Sequence, residues 1–390
     1  MKLYDVVIVG GAAIGSSVAY FLSRNTGFGG RVLVIERDPA YTSCSTTLSA
    51  ASIRQQFSSP VNIRMSQFGV EFLKSLPAQF GACADTGLKE EGYLLLASER
   101  GRPVLHSNFN IQTILGADIG WLTATEIAAR YPWMSVRGIA AGCLGRSGEG
   151  WFDSNTLLQT LKSQAIAAGV QYLKGEVTEI RVDDNQATSV HLADGQSFSC
   201  GHVVNAAGPN AAHVAAMAGL ALPVESRKRN VFVIDCRDKH KITQCPMLID
   251  PSGVYLRPEG HFFLTGVSPP ADNDPETYDF KVDHDLFDDV IWPTLADRIP
   301  LFAAIKVINA WAGHYAYNVL DQNAIVGRHP VVSNFLFANG FSGHGLQQSP
   351  AVGRGIAELI VGGKYTTLDL SDLSFERIID HRPLLESNII

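Results

Sequence analysis

The chain has 390 residues, of which 46% are hydrophobic, enough to bury a core shared by two domains. A formal net charge of −7 and the lack of a long basic run exclude a phosphate-tracking nucleic-acid surface, and no apolar stretch approaches the roughly 18 residues a membrane span needs. Six scattered cysteines without a CxxC pair (Cys44, Cys83, Cys143, Cys200, Cys236, Cys245) suit reduced thiols better than disulfides or zinc, so a cytoplasmic protein without a leader peptide is expected.

In chain order, residues 4–9 are a run apolar but for Asp5 and rich in β-branched side chains, which predicts a parallel strand buried on both faces. Gly10-Gly11-Ala12-Ala13-Ile14-Gly15 follows, then a helix over 14–23 and a second strand over 31–35 that ends in Glu36, 21 residues beyond Gly15. That order suits a dinucleotide. Gly10 allows a tight turn, Gly15 lets the helix pack close to the sheet, the helix N-terminus receives a pyrophosphate and Glu36 meets ribose hydroxyls. Ala12 stands where the middle glycine is expected. Its methyl costs a slightly longer contact if the backbone is right-handed, and about 1–2 kcal/mol if φ is positive. The unit by itself serves NAD and FAD alike.

Asp153 or Ser154 caps a helix over 155–168, so the acid of "WFDS" starts a helix rather than forming half of an acid–base pair. The turns "DDNQAT" and "ADGQS" join short strands, and residues 202–206 form a strand that runs into "VVNAAGPNAAHVA". Alternation over 230–235, 253–257 and 262–265 predicts an antiparallel sheet, with a helix over 282–297 covering it. Near the end, "FLFANGFSGHGLQQSPAVGRGIAELIVGG" reads as strand, glycine turn and a helix from Leu346 with Pro350 in its first turn. The amides of that helix would face negative charge or electron density. Neither a Ser-His-Asp arrangement nor a His/Cys cluster with metal-ligand spacing is present, so no metal is expected.

Together, "VVIVGGAAIG" with Glu36, "VVNAAGP" and "GFSGHGLQQSP" resemble the FAD-dependent D-amino acid oxidase superfamily, in the branch with sarcosine oxidase, glycine oxidase and archaeal proline dehydrogenase. "SIRQQFSSPVNIRMS" and "WAGHYAYNVLDQNAIVGRHP" resemble still more closely the proline dehydrogenase beta subunits and a mitochondrial flavoprotein of complex I assembly. The resemblance covers nearly the whole chain. It implies an α/β fold with a Rossmann-like FAD-binding domain of the glutathione reductase type over 1–87, 150–221 and 323–390. An interleaved α+β substrate domain with an antiparallel sheet is implied over 88–149 and 222–322. It further implies an FAD-dependent amino acid or amine dehydrogenase or oxidase, with FAD held non-covalently. The substrate would be a small amino acid, either a secondary amine such as proline, sarcosine or an N-alkyl amino acid, or a D-amino acid. Its C–N bond would be oxidised by hydride transfer to flavin N5, and the imine then hydrolysed. Oxidation of a 2-hydroxy acid uses the same logic, and a flavoprotein scaffold or assembly factor with little catalysis is the rival from another class. Oxygen, a quinone, a carrier protein or a partner subunit could receive the electrons.

The resemblance places the cofactor on Gly10, Ala12, Ala13, Ile14, Gly15, Glu36, Arg37, Ser45, Thr46, Ser49, Val177, Ala206, Ala207, Gly208, Gly313, His314, Gly343, His344, Gly345, Leu346 and Gln347. Reduced flavin is negative near N1 and O2, where a helix N-terminus contributes about 0.3–1 kcal/mol, and up to about 2 when partly buried. Arg54 falls where relatives carry an arginine close to the flavin; an interdomain ion pair is its alternative. Tyr255 and Arg257 alternate on one strand, share a face, and resemble a substrate-binding strand on which arginine would grip the carboxylate with two parallel bonds. His344 either touches substrate or shapes the flavin turn. His314 falls near a position where sarcosine oxidase bonds its flavin covalently through cysteine. On the strand "HFFLTG", Phe263 and Leu264 stand where oxidases carry an oxygen-activating lysine, which favours a dehydrogenase.

Overall fold

The computed structural model describes residues 2–387. The chain opens with β1 (Lys2–Val9), α1 (Ala13–Ser23), β2 (Val32–Glu36), β3 (Ser52–Ile53) and the long α2 (Pro60–Phe80). Next come β4 (Tyr93–Ala97), α3 (Arg102–Ile114), β5 (Ile119–Thr123), α4 (Ala124–Arg130) and β6 (Ala141–Gly145). It continues with β7 (Gly150–Trp151), α5 (Ser154–Ala167), β8 (Gln171–Lys174), β9 (Val177–Asp183), β10 (Gln186–Leu192), β11 (Ser197–Asn205) and α6 (Ala211–Ala216). Then follow β12 (Val224–Cys236), β13 (Met247–Ile249), β14 (Tyr255–Glu259), β15 (Phe262–Gly266), α7 (His284–Leu286), α8 (Trp292–Arg298) and β16 (Ile305–Asn318). The chain closes with β17 (Ile325–Arg328), β18 (Phe335–Asn339), α9 (Gly345–Gly362) and α10 (Glu376–Ile379).

These elements build two large sheets. One has the order β17-β18-β11-β1-β2-β8, parallel except for β17, with the hairpin β9–β10 hung on β11. The other has the order β16-β12-β15-β14-β13-β4-β6-β5. Its neighbours are antiparallel, as expected, except for the parallel pair β13–β4. The exception arises because β4 is donated by the earlier excursion of the chain and meets β13 side by side rather than through a hairpin.

The strand β1 shows why the first sheet is parallel and central. Val6 and Ile8 enter the core under α1, α5 and α9, whereas Val7 and Val9 enter a second core with β10 and β11. Both faces are apolar because both are covered. The helices α1 and α9 approach so closely that a Cβ on Gly353 would lie 2.3 Å from the Ser17 hydroxyl. This contact puts the N-termini of both helices at the same cavity. Asp153 caps α5 by accepting the Thr156 N–H, as the sequence indicates.

Three local expectations change. The strands β11 and β12 extend well beyond 202–206 and 230–235. The covering helix is interrupted by a π turn over Phe287–Ile291, just ahead of Pro293, which has no N–H to give the carbonyl four residues back. Pro350 lies beyond the first turn of α9, which begins at Gly345. The Leu346 carbonyl, deprived of that N–H, accepts the Ser349 hydroxyl at 2.9 Å.

Among the described residues no helix is long and apolar enough to cross a membrane, and no group of His, Cys, Asp and Glu could hold a metal ion. All six cysteines are free thiols.

Candidate active site

A cavity of about 670 Å³ runs between the two sheets, and both contribute to its wall. At one end lies the turn from β1 into α1. Gly10 has φ +98°, and a Cβ there would come within 2.4 Å of the Ala206 carbonyl oxygen, so glycine is required twice over. Ala12 has φ −73° in the extended region, where its methyl causes no strain. Gly15 lies behind the wall; a Cβ on it would lie 1.8 Å from the Gly10 carbonyl oxygen, so its role is packing. Ala13 N–H donates to Thr46 Oγ1 at 3.3 Å, and α1 has no acidic residue in its first turn. Glu36 lines the cavity while its carboxylate accepts the N–H groups of Gly11 (2.7 Å) and Asp38 (2.8 Å). Ala12, Ala13, Ile14, Arg37, Ser45, Thr46, Ser49 and Val177 share this wall.

Ala206, Ala207 and Gly208 line the middle of the cavity. Their turn is held by Asn205, which donates to the Ala211 carbonyl (2.8 Å) and accepts the Ala207 N–H (3.2 Å). Further along, Gly343, His344, Gly345, Leu346 and Gln347 bring in the start of α9, which has neither a side-chain cap nor an acid in its first turn. Gly343 has φ +98°, and a Cβ on it would lie 2.5 Å from the Tyr315 ring. Two helix N-termini without acidic residues therefore open onto one elongated cavity. That arrangement, with glycine-bearing turns that bring backbone to the wall, fits the pyrophosphate and the electron-rich ring edge of a flavin dinucleotide.

Arg54 lies where the start of α9 meets the second sheet and is 2% exposed. Its backbone N–H donates to Gln347 Oε1 at 2.8 Å, Nη1 to the Gln56 carbonyl at 3.1 Å, and Nη2 contacts His344 Nε2 at 3.0 Å. Because a guanidinium offers no lone pair, Nε2 accepts and His344 carries its proton on Nδ1. Burial, reinforced by the charge on Arg54, pushes the His344 pKa down to about 3, so the ring is neutral. Gln347 is thus committed to Arg54, and Gln348 bonds Asn62 behind the wall.

Beyond Arg54 the cavity ends in a chamber lined by Tyr93, Tyr255 and Tyr315. Burial raises all three phenols, that of Tyr93 to about 12, so none carries charge at neutral pH. The chamber's other cation is Arg229 of β12, 8% exposed and stacked 4.9 Å over the Tyr315 ring. Its Nη1 and Nη2 grip Asp274 at 2.7 and 2.8 Å, and Nε–H has no partner among the described residues.

Arg257 departs from expectation. Although it shares a face with Tyr255, it does not line the cavity. Its Nε donates to the Ala50 carbonyl (3.0 Å), Nη1 to the Pro258 carbonyl (2.9 Å), and Glu259 pairs with it. Two residues along a strand carry a side chain about 7 Å, here out of the chamber and onto the Ala50 segment. His314 does line the cavity. Its Nε2 lies 2.8 Å from the Asp279 carbonyl, which fixes the proton on Nε2, and its ring packs edge-on against Phe280 at 4.5 Å. Burial lowers its pKa. Gly313 lines the same stretch. On β15, Phe263 is in the core against Phe302, and Leu264 pairs in register with Arg257, so this strand brings no cation to the cavity.

Sequence reasoning passed over Arg229, Tyr93 and Tyr315. Tyr315 had a signal, since it alternates with Gly313 and so shares its face. Arg229 had none, because Asp274 lies 45 residues away and only the folded sheet brings the pair together.

A family model described as DAO, FAD dependent oxidoreductase, matches residues 5–359. FAD-dependent oxidoreductase domain-containing protein 1 of Xenopus laevis is 42% identical, across 99% of this chain and 85% of that protein. The glycine oxidase of Geobacillus kaustophilus is 27% identical, across 96% of this chain and 97% of its own. In three dimensions the chain is similar to the L-proline dehydrogenase of P. horikoshii, with a TM-score of 0.86 at 26% identity, covering 97% of this chain and 98% of that one.

Proposed function

The chain belongs to the DAO family of FAD dependent oxidoreductases, and from that premise we propose that it oxidises the C–N bond of a small amino acid held in the three-tyrosine chamber. The substrate class is a secondary amine such as proline, sarcosine or another N-alkyl amino acid, or a D-amino acid. The observation that carries this reading is Arg229, a buried guanidinium of a chamber-lining residue whose Nε–H lacks an acceptor among the described residues. Leaving such a donor unmade costs about 1–3 kcal/mol, and a substrate carboxylate that displaces the groups covering Nε would recover it. Asp274 fixes the plane of the guanidinium, so the anchor is oriented before substrate arrives. Tyr255 adds a neutral donor beside it.

The turn over 10–15, Glu36, Thr46, the turn over 206–208 and the start of α9 would hold FAD, with Arg54 and His344 at its redox-active end. When bound, FAD supplies the two-electron acceptor for oxidation at the carbon beside nitrogen, leaving an imine that water hydrolyses. Non-covalent attachment is supported by His314, whose ring is anchored to the Asp279 carbonyl and to Phe280. The amine must arrive neutral, and the chamber supplies no base for it, since His344 already accepts from Arg54 and the phenols keep their protons. Activity should therefore rise with pH as the amine of the substrate deprotonates.

A quinone, a carrier protein or a partner subunit is the proposed electron acceptor. Oxygen reduction needs a localised cation beside the flavin. The strand β15 brings none, His314 and His344 are held neutral by burial, Asp274 neutralises Arg229, and Arg54, the cation left beside the flavin, spreads its charge over a guanidinium already bonded to the Gln56 carbonyl and His344.

The test is an anaerobic panel of substrates on the purified yellow protein, followed by admission of air. Bleaching of the flavin bands by N-alkyl or D-amino acids, and not by 2-hydroxy acids, is expected. Bleaching by hydroxy acids alone would overturn the substrate class, no bleaching by either would favour a scaffold role, and recovery of colour in air within seconds would overturn the proposed acceptor.

A further inference from the structure

The segment that carries Arg54 is held by two buried carboxylates that do not touch the cavity. Glu149, between β6 and β7, is 0% exposed. Its Oε1 accepts the N–H groups of Gln55 (2.6 Å) and Gln56 (3.1 Å), and its Oε2 accepts Gln56 Nε2 (2.8 Å). Glu386, from the stretch beyond α10, accepts the Ser58 and Ser59 N–H groups, the Ser59 hydroxyl (2.6 Å) and Asn62 Nδ2 (3.2 Å). Two carboxylates from distant parts of the chain thus bind four backbone N–H groups within residues 55–59. The same segment supplies the Gln56 carbonyl that accepts Arg54 Nη1, while Arg54 Nη2 reaches His344 at the start of α9.

Burying an ion is costly, and apolar side chains of similar size would pack such a segment at lower cost. The carboxylates make directional contacts that apolar groups cannot. We propose that Glu149 and Glu386 are positioning residues, a two-sided clamp that fixes the 55–59 segment so that Arg54 stays on His344 beside the flavin. The inference rests on the cofactor reading above.

The two halves of the clamp respond differently to pH. Burial raises the Glu149 carboxyl to about 7, outweighing its hydrogen bonds and the charge of Arg54. At Glu386 burial also raises the carboxyl, but hydrogen bonds from Ser58, Ser59 and Asn62 prevail and hold it below the usual carboxylate range. The ionisable groups facing Glu149 are Arg54, Tyr93 and Cys143. Tyr93 and Cys143 are pushed up to about 12 and stay neutral, so Glu149 itself switches near neutrality. As pH falls from 8 to 6 one half of the clamp gains a proton and gives up an acceptor.

The experiment titrates FAD into apoprotein, following quenching of flavin fluorescence at pH 8 and pH 6, for wild type, E149Q, E386Q, R54M and the double variants E149Q/R54M and E386Q/R54M. Weakening of about tenfold or more is expected for R54M, and of about threefold to tenfold for each clamp variant, with the double variants no weaker than R54M alone. Wild type should bind more weakly at pH 6 than at pH 8, whereas E149Q should show no such difference. Additive losses in the doubles would overturn the proposal by showing that the glutamates act independently of Arg54, and unchanged affinity in both single variants would overturn it too. If R54M alone leaves FAD affinity intact, the assignment of Arg54 to the flavin fails, and that failure is separate from one of the clamp. Should E149Q not fold, E386Q carries the same cycle from the other side.

Discussion

The two ends of the cavity are built by different means. At the end proposed for the dinucleotide the wall is largely backbone: Gly10 at φ +98°, the first turn of α1, and the turn after β11. In the chamber the wall is side chains, each held by a partner from another strand, as Arg229 is by Asp274 and by the Tyr315 ring. Backbone sites depend on φ and on clearance, so most substitutions there act in a graded way. Paired buried side chains depend on the partner, so removing one strands the other.

The sharpest way to test that contrast is Arg229→Ala. It leaves Asp274 buried without its cation, a loss of about 3–5 kcal/mol, and it should raise KM for carboxylate substrates at least a hundredfold, measured by anaerobic flavin reduction. R229A/D274A should recover stability but not KM. If KM is unchanged, the chamber does not anchor the substrate. Next in size is Gly10→Ala, where strain from positive φ and overlap with Ala206 together cost about 2–5 kcal/mol; purified G10A should retain little flavin, read from the ratio of flavin to protein absorbance.

Glu149→Gln separates stability from position. Because the folded pKa of Glu149 lies above the ordinary value, the folded protein binds the extra proton between about pH 4.5 and 7, and stability falls as pH rises through that window. At pH 8 the buried charge therefore costs up to about 3 kcal/mol, and E149Q apoprotein should melt higher than wild type there, but not at pH 5. A lower melt at pH 8 would refute that sign. Tyr255→Phe removes one hydrogen bond and should lower kcat/KM about tenfold, or about 1.4 kcal/mol. The smallest effect is expected from Ala12→Gly. With φ already negative and the backbone extended, it should shift FAD affinity by less than about 0.5 kcal/mol, and a large gain would mean that the Ala12 methyl crowds the cofactor.

The end of the cavity built around the turn over 10–15 was legible because its structural requirements are local. A strand, a glycine at the sharp bend, a helix start and an acid at the end of the next strand lie within 36 residues, and each leaves a mark in the sequence. The chamber was legible only in part. Alternation correctly put Tyr255 and Arg257 on one face, but it says nothing about how far along the strand the cavity extends, and Arg257 falls beyond it. The structure puts Arg229 in the chamber instead, two strands away from Tyr255 and next to β16. Pro350 was misplaced for a similar reason, since the helix start depends on how the turn over 341–344 closes.

The sequence by itself determined the parallel sheet around β1, the three glycine-bearing turns and the family, because backbone conformation and periodic burial are properties of neighbours in the chain. The tertiary structure decided which cation enters the chamber, the protonation of His314 and His344, and the way two glutamates more than 200 residues apart hold one arginine. Those depend on burial and on partners across space, and neither is encoded in the spacing of residues along a single strand or helix.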